Sequence, residues 1–332
     1  VEHVKLKIDS KTPKYKQIIA AIETAIVKGN LQKGDKLPSL NAIKTKHSLS
    51  RDTVLTAFKE LKNRGIIKAV VGKGYYVSSV DVQLKQKIFV LFDELNSFKE
   101  DLYNAFLDSL GDHVEVEIYF HHFNVQVFNK LINENAGSYS AYVIMPANLE
   151  NTKDVIKNLP SDKVYILDQI QEDLEDYPAI YQNFEKDIFE GLSVLLKKIK
   201  EYDKLLLLFS EDKQPKGILK GFYQFCAQNN ICHEVVDSIK EATPKKGDIY
   251  IVLDDRNLIR IIKKMKEEQL VLAKDIGIIS VNDSLLKEIV EGGITTISTD
   301  FNLMGERLAT MILNKEHVKI ENPSRLIVRK SI

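Results

Sequence analysis

The sequence predicts two joined units of different class. One is a small three-helix unit closed by a β-hairpin over residues 1–78; the other is an α/β unit with parallel sheets over residues 87–332, with residues 79–86 as the connector. Three observations carry this reading. At 332 residues the chain exceeds one ordinary domain, and an apolar share of 44% with 28% charged residues can fill large cores. The hydrophobic pattern changes along the chain, from helical spacing and paired short strands to apolar runs alternating with helices. The charge divides at the same place. Forty-seven Lys and Arg balance forty-seven Asp and Glu to a formal net charge of zero. Residues 1–80 hold sixteen of the basic and six of the acidic residues, a net of +10, which leaves −10 for residues 81–332. Charge divided in this way points to a nucleic-acid or membrane partner for the basic end.

Several classes drop out. No apolar run reaches the ~18–20 residues of a membrane span, the densest being Leu205 to Phe209. The sequence opens on charged residues without an apolar h-region, so no signal peptide is expected. Two cysteines, Cys226 and Cys232, are too few for a disulfide framework and read as buried thiols in a reducing compartment. The expectation is a soluble cytoplasmic protein with no membrane partner.

In the basic unit, an extended start gives way to a helix at Thr12-Pro13, with Thr as N-cap and Pro at the first helical position. Tyr15, Ile18, Ile19, Ile22, Ala25 and Ile26 recur at helical spacing until Gly29. Beyond Gly34 and Pro38, Ser39 caps a short helix through Lys46. Ser50 caps a third, with Val54, Ala57, Phe58 and Leu61 as its apolar stripe and Gly65 as its stop. Ile66, Ile67 and Ala69 to Val71 read as a strand, Gly72-Lys73-Gly74 as a turn, and Tyr75-Tyr76-Val77 as the returning strand. Three helices and a hairpin are the layout of a winged helix-turn-helix. In that layout the third helix enters the major groove by its N-terminus, where Arg51 can pair bidentately with guanine beside Ser50, Asp52 and Thr53. Hydroxyls and helix-end N–H groups hold phosphates. Lys73, between two glycines, can approach the DNA backbone or minor groove. The charges alone fit a solvated basic surface as well. A nucleotide phosphate loop is excluded, because the first glycine and the Ser/Thr after Lys73 are missing and a strand follows.

The wording of the segment goes further. Pro13-x-Tyr15-x-Gln17-Ile18, Gly29-x-Leu31-x-x-Gly34-x-x-Leu37-Pro38-Ser39, Leu49-Ser50-Arg51-Asp52-Thr53-Val54, Ala57, Leu61, Gly65-Ile66 and Gly72-Lys73-Gly74-Tyr75-Tyr76-Val77 together resemble the GntR family of bacterial transcription regulators over residues 12–78. The resemblance implies DNA contacts by Ser50, Arg51 and Thr53, a phosphate contact by Ser39, and a wing contact by Lys73-Gly74. Where that family usually has an acidic-Arg-acidic run after Pro-Ser, this chain has Leu40-Asn41-Ala42. Asn41 thus replaces an arginine that commonly touches DNA, a departure that bears on the operator sequence more than on the activity.

In the acidic unit apolar strands alternate with helices: Ile88–Phe92, then a helix from Phe98 to Leu110, Val114–Phe120, a helix from Val125 to Ala136, and Ala141–Met145. A short helix from Val155 to Leu159, a strand at Val164–Leu167 and a long helix from Phe184 to Ile199 follow. Leu205–Phe209, Glu234–Val236, Ile249–Leu253 and Ile276–Val281 then alternate with helices at Gly217–Gln228 and Leu258–Lys266. Continuous apolar strands between helices mean parallel sheets covered on both faces, as one barrel or as two doubly wound lobes. No Gly-rich fingerprint follows the first strand, which excludes a nicotinamide-binding dehydrogenase.

Asp254-Asp255, Val281-Asn282-Asp283 and the run Gly293-Ile294-Thr295-Thr296-Ile297-Ser298-Thr299-Asp300-Phe301-Asn302-Leu303-Met304-Gly305 resemble the effector domain of LacI/GalR repressors, itself similar to periplasmic sugar-binding proteins. The resemblance implies two lobes over residues 87–332, and with the GntR-like head it implies a regulator of the arabinose-repressor type. Ligands of such sheets sit at the carboxyl ends of strands, here between the lobes. The candidates are Phe92, Asp93, Glu94, Asn96, Asp168, Gln169, Asn183, Phe184, Lys216, Asp254, Asn282, Thr299 and Phe301. Carboxylates and amides suit vicinal hydroxyls, and aromatic rings suit the C–H face of a sugar. Two departures stand out: the family's sugar-binding arginine is Ile218 here, and its key aspartate is Asn282. Without that arginine a phosphorylated or purine ligand is disfavoured, and a neutral arabinose- or fucose-like monosaccharide is expected.

Other motifs carry less. His121 and His122 adjoin on a strand end, so their side chains diverge and no metal site is expected. Glu172-Asp173-x-Glu175-Asp176 lacks the glycine and spacing of a calcium loop. No catalytic elbow or zinc-helix motif occurs, and no cofactor is expected. The sequence reads as a homodimeric transcription factor for a double-stranded DNA operator, with a sugar effector and residues 79–86 transmitting its signal. The alternatives are a sugar-metabolising enzyme with a DNA-binding head, and a dimerisation scaffold whose cleft is unused.

Overall fold

A computed structural model describes residues 13–82, 86–237 and 243–332; the expected extended start and Thr12 lie outside the described residues, as does Gln83 of the connector. Helices α1 (Lys14–Val27), α2 (Leu40–His47) and α3 (Arg51–Asn63) precede an antiparallel hairpin of β1 (Ile67–Val70) and β2 (Gly74–Val77). Each helix turns one apolar face inward, so that Ile18, Ile22, Ile43, Val54, Phe58 and Leu61 are buried together. The Ser39 hydroxyl accepts from the Ala42 N–H and the Ser50 hydroxyl from the Thr53 N–H, both at 3.1 Å, which starts α2 and α3 where the sequence places them. Pro13 differs by one position from expectation. Its ψ of 139° is extended while its carbonyl accepts from the Gln17 N–H, so Pro13 is the half-in cap and α1 begins at Lys14. Val71 is fully exposed rather than in the strand, because the Lys73 N–H closes the turn on the Val70 carbonyl.

The remaining residues form two lobes, not a barrel. In the first, β3 (Gln86–Phe92), α4 (Ser97–Leu110), β4 (Val114–Phe120), α5 (Val125–Asn135), β5 (Ala141–Ile144), α6 (Lys153–Ile156), β6 (Val164–Asp168) and β7 (Ala179–Tyr181) follow in order. Next come α7 (Phe184–Val194) and α8 (Leu196–Ile199), which lead into the second lobe. That lobe comprises β8 (Lys204–Leu208), α9 (Lys216–Asn229), β9 (His233–Val236), β10 (Asp248–Val252), α10 (Asp255–Glu267), β11 (Gly277–Val281), α11 (Leu285–Ile289) and β12 (Thr295–Thr299). The chain then returns: α12 (Phe301–Asn314) and β13 (Lys319–Glu321) belong to the first lobe, and β14 (Ser324–Ile327) to the second.

The first sheet has the order β13-β7-β6-β5-β3-β4 and is parallel throughout. The second has the order β14-β12-β11-β10-β8-β9 and is parallel except for β14, which pairs antiparallel with β12. The continuous apolar strands are explained by burial on both faces: Ile88, Val90 and Phe92 enter one core and Phe89 and Leu91 the other. Leu205 and Leu207 against Leu206 and Leu208 repeat this in the second lobe. Helix pairs on each lobe approach closely through glycine. A Cβ on Gly305 of α12 would lie 2.3 Å from the Leu102 carbonyl oxygen of α4, and one on Gly221 of α9 the same distance from that of Glu185 in α7.

Two expectations change. The long helix from Phe184 to Ile199 breaks at Leu195, where the Ser193 hydroxyl bonds back to the Phe189 carbonyl and the Leu195 N–H turns to Leu192. Cys226 is buried, and burial pushes its thiol up to about 12, but Cys232 is exposed in the turn before β9.

Candidate functional site

Two sites emerge, one on the head and one between the lobes. On the head, Ser39 and Asn41 stand at the start of α2, Ser50, Arg51, Asp52 and Thr53 at the start of α3, and Lys73 and Gly74 at the hairpin tip. All are exposed except Thr53, which is half-buried. The Ser50 and Thr53 hydroxyls lie 2.8 Å apart and satisfy the helix end between them, so Arg51 projects from an ordered first turn. Lys36 was missed. It pairs in an isolated bridge with Tyr76, lies over that ring and reaches Gly74, adding charge at the base of the wing.

Between the lobes lies a cleft of about 570 Å³, inside the range of small-molecule sites. Of the expected residues, Asp93, Glu94, Asn96 and Asp168 enter it from the first lobe, Asp254 and Asn282 from the second, with Gln169 and Phe184 near the crossing. Asn183 and Lys216 line an adjoining opening of about 800 Å³ that shares Phe184 and Gln182 with the cleft. Phe92, Thr299 and Phe301 sit behind the wall. Phe92 is in the core, Thr299 bonds the Pro323 carbonyl and the Asn322 amide, and Phe301 stacks at 4.9 Å on Phe98, which does face the cleft.

The two lobes offer matching strand ends. Asp168 ends β6 with φ 75° and Asn282 follows β11 with φ 62°, a region that non-glycine residues seldom adopt and that concentrates at functional sites. Asp168 is buried, and burial pushes its carboxyl pKa up, with Lys99 drawing it down and Asp93 raising it. Lys99 pairs with Asp93 and is itself buried, and the Gln182 amide donates to Asp168. In the second lobe, Lys287 is buried beneath the cleft floor. Its ammonium donates to the carbonyls of Val281 and Asn282 at 3.0 and 2.7 Å and faces Asp255 at 3.4 Å. Burial pushes its pKa down and Asp255 opposes this. Asp254 caps α10, accepting from the Asn257 N–H and amide at 2.8 Å each. Two side-chain oxygens, Asn257 Oδ1 and Asn282 Oδ1, are buried at the cleft without a donor among the described residues.

At the mouth the lobes touch. Lys213 lies 3.4 Å from Glu94 and over the Phe123 ring, and the Asn148 amide donates to the Gln214 carbonyl at 2.6 Å. Sequence reasoning missed Lys99, Gln182, Lys213, Asn257 and Lys287, and also Arg256 and Arg260, which reach the cleft from α10. Lys99, Arg256 and Lys287 share one readable signal: a cation in the first turn of a helix opposes the helix dipole and calls for a nearby carboxylate.

At the crossings between lobes, Asn322 is buried and its amide donates to Thr299 Oγ1 and the Asp300 carbonyl. Lys186 and Asn183 both bond Glu321, at 2.8 and 3.0 Å. Beside them the Asp187 carboxyl is pushed up to about 7, first by burial and then by Glu321, against Lys186. His121 is buried with its Nε2 3.0 Å from the Met145 carbonyl, while His122 is exposed. Among the described residues no three His, Cys, Asp or Glu gather as a metal site, and no helix is long and apolar enough to cross a membrane.

Known proteins match both parts. Residues 14–77 match the bacterial regulatory proteins of the gntR family, and residues 203–332 the periplasmic binding protein-like domain. The HTH-type transcriptional repressor YtrA of Bacillus subtilis (strain 168) is 34% identical over 108 residues, which are 32% of this chain and 79% of YtrA. The mannosyl-D-glycerate transport/metabolism system repressor MngR of Escherichia coli (strain K12) is 35% identical over 107 residues, 32% of this chain and 41% of MngR. Among solved structures, a LacI family transcriptional regulator from Silicibacter pomeroyi superposes with a TM-score of 0.64 at 13% identity, over 74% of this chain and 98% of that one. The lac repressor dimer bound to operator and the anti-inducer ONPF gives 0.61 at 18%, over 74% and 93%. At such identities the likeness is one of fold. From the head sequence, its helix and hairpin layout and the two-lobed fold, this chain belongs to the gntR family of bacterial regulatory proteins, as a DNA-binding transcription regulator whose helix-turn-helix head is joined to a periplasmic-binding-protein-like domain.

Proposed function

We propose that the chain is a repressor of a carbohydrate-utilisation operon, of the arabinose-repressor type, controlled by a neutral monosaccharide in the interlobe cleft. Its head would be residues 1–78, its connector 79–86 and its sensor 87–332, acting as a homodimer. One observation carries the ligand class: Asn257 Oδ1 and Asn282 Oδ1 are buried acceptors at the cleft with no donor of their own among the described residues, and vicinal hydroxyls would supply donors to both. Charge supports a neutral ligand. Six carboxylates line the cleft against five cations, so no excess positive charge awaits an anion, although Arg256 and Arg260 are present.

The mechanism is linkage. A sugar shifts DNA affinity only by its different affinities for the two arrangements of the lobes. Lobe closure in each protomer would alter the spacing of two heads that must meet half-sites about 34–36 Å apart or a multiple of it. Ser39, Asn41, Ser50, Arg51, Asp52, Thr53, Lys73 and Gly74 would make the DNA contacts. The test is a thermal-shift screen of neutral pentoses and hexoses, since a ligand of the native state alone raises the melting temperature. A rise with one neutral sugar, lost in Asn282→Leu, is expected. A rise only with phosphorylated sugars or nucleobases would overturn the neutral ligand. Turnover of the bound sugar would favour an enzyme.

A further inference from the structure

Away from the cleft, positive charge gathers where the head meets the first lobe. Lys59 and Lys62 reach this junction from the last turns of α3, Lys163 from the turn before β6, and Lys315 from the end of α12. Lys62 touches the first lobe directly: a Cβ on Gly137 would lie 3.8 Å from its Nζ. A pocket of about 240 Å³ opens here, walled by Asn63, Gln86, Tyr165, Asp162, Lys163 and Lys315 among others. Lys163 is half-buried. Burial lowers its pKa, Asp162 raises it, and Lys315, Lys59 and Lys62 lower it again, so three further ammonium groups act on Lys163.

The balance of charge is unlike that of the cleft. Asp162 is the carboxylate that faces Lys163, and Glu316, near Tyr165, is bound by Arg307. The C-termini of α3 and α12 contribute about −0.5 each. Lys163 and Lys315 stand in the pocket wall, and Lys59 and Lys62 act on Lys163 from outside it; together the four leave the junction with roughly two positive charges uncompensated, where like charges near a half-buried group repel more than in water. The arrangement is also the reverse of what the whole units offer: a head of +10 and a sensor of −10 attract, yet they touch here through lysines.

We propose that this pocket binds a small oxyanion, a phosphate group either free or carried on a metabolite, which holds α3 of the head against the first lobe. Lysine ammonium groups are point-charge partners for phosphate, and the amides of Asn63 and Gln86 stand in the wall to complete its shell. The site is separate from the sugar cleft and lies behind the DNA-facing start of α3, so its occupant fixes the angle at which the sensor presents the recognition helix.

Isothermal titration of the full chain with inorganic phosphate at constant ionic strength is expected to show saturable binding of one anion per chain. A parallel titration with a hexose phosphate separates the two sources: equal affinity assigns the free anion, and at least tenfold tighter binding assigns the metabolite. Lys163→Met keeps the packing of the stem and is expected to weaken either anion at least tenfold. Lys315→Asn, on the exposed side at a left-handed position that asparagine tolerates, is expected to do the same. No saturable phosphate binding, or affinities unchanged in both variants, overturns the assignment. Neutral sugars are absent from these titrations, so failure here leaves the reading of the cleft untouched.

Discussion

Asp187 makes the hinge between the lobes sensitive to pH. It stands in the first turn of α7, next to the Lys186–Glu321 pair that ties two crossings together. Its carboxyl is moved from an ordinary 3.8 to about 7, by burial and then by the negative charge of Glu321. The folded state therefore holds this proton more tightly than the unfolded chain does. The resulting stabilisation is fully present below about pH 4 and is lost as pH rises to about 7, because above that the folded protein keeps an ionised carboxylate in an unfavourable place. Without screening the shift corresponds to about 4 kcal/mol. Asp187 is only half-buried, so about 1–2 kcal/mol is expected. Replacing it by asparagine keeps the shape and removes the titration. Urea unfolding of Asp187→Asn and the parent between pH 4 and 8 is expected to show the variant more stable by that amount at pH 7.5. The difference should narrow or reverse near pH 4. A difference that stays constant across the range would refute the argument.

The other expectations are as direct. Arg51→Ala should cost ~1–3 kcal/mol of specific operator binding, measured by titration at fixed salt; an unchanged affinity would remove Arg51 from the base edges. Lys73→Ala should weaken all DNA sequences alike and flatten the salt dependence by about one phosphate's worth, and equal slopes would rule the wing contact out. Lys99→Met leaves Asp93 buried without its partner and is expected to destabilise the sensor by about 3–5 kcal/mol in urea, more than a surface ion pair could. Gly305→Ala forces α12 away from α4, at a cost of about 1–3 kcal/mol or more; equal melting temperatures for Gly305→Ala and the parent would contradict the close packing.

What was legible in the sequence was local. Ser39 and Ser50 announce their helices because a cap is decided within three residues, and the strands stand out because burial on both faces leaves no polar positions. β13 and β14 left no such pattern, since they are short edge strands with exposed residues and exist because of partners far away in the chain. At the end of β3 the expectation holds for one of two neighbours. Phe92 and Asp93 are neighbours at a strand end, and alternation of side chains sends the first into the core and the second toward the ligand space. Thr299 and Phe301 were expected in the cleft for their place after a strand, but the returning chain at Asn322 and Pro323 covers that end. Arg256 and Arg260 on α10, and Lys287 on α11, could not be assigned to a cleft before the placement of those two helices was known.

The return of α12 to the first lobe has a consequence for how the chain is made. Leu102 and Phe106 of α4 find much of their cover in Met304, Leu308 and Ile312, about two hundred residues later. The head, whose buried core is built from residues between Ile18 and Val77, can fold while synthesis continues, but the first lobe must wait for the second to emerge before its own core closes. During that interval a DNA-binding head would be attached to an unfinished sensor with an exposed apolar helix. A ribosome stalled or a chain cut before residue 301 would thus leave the head with its own core complete beside a first lobe that lacks the cover of α12.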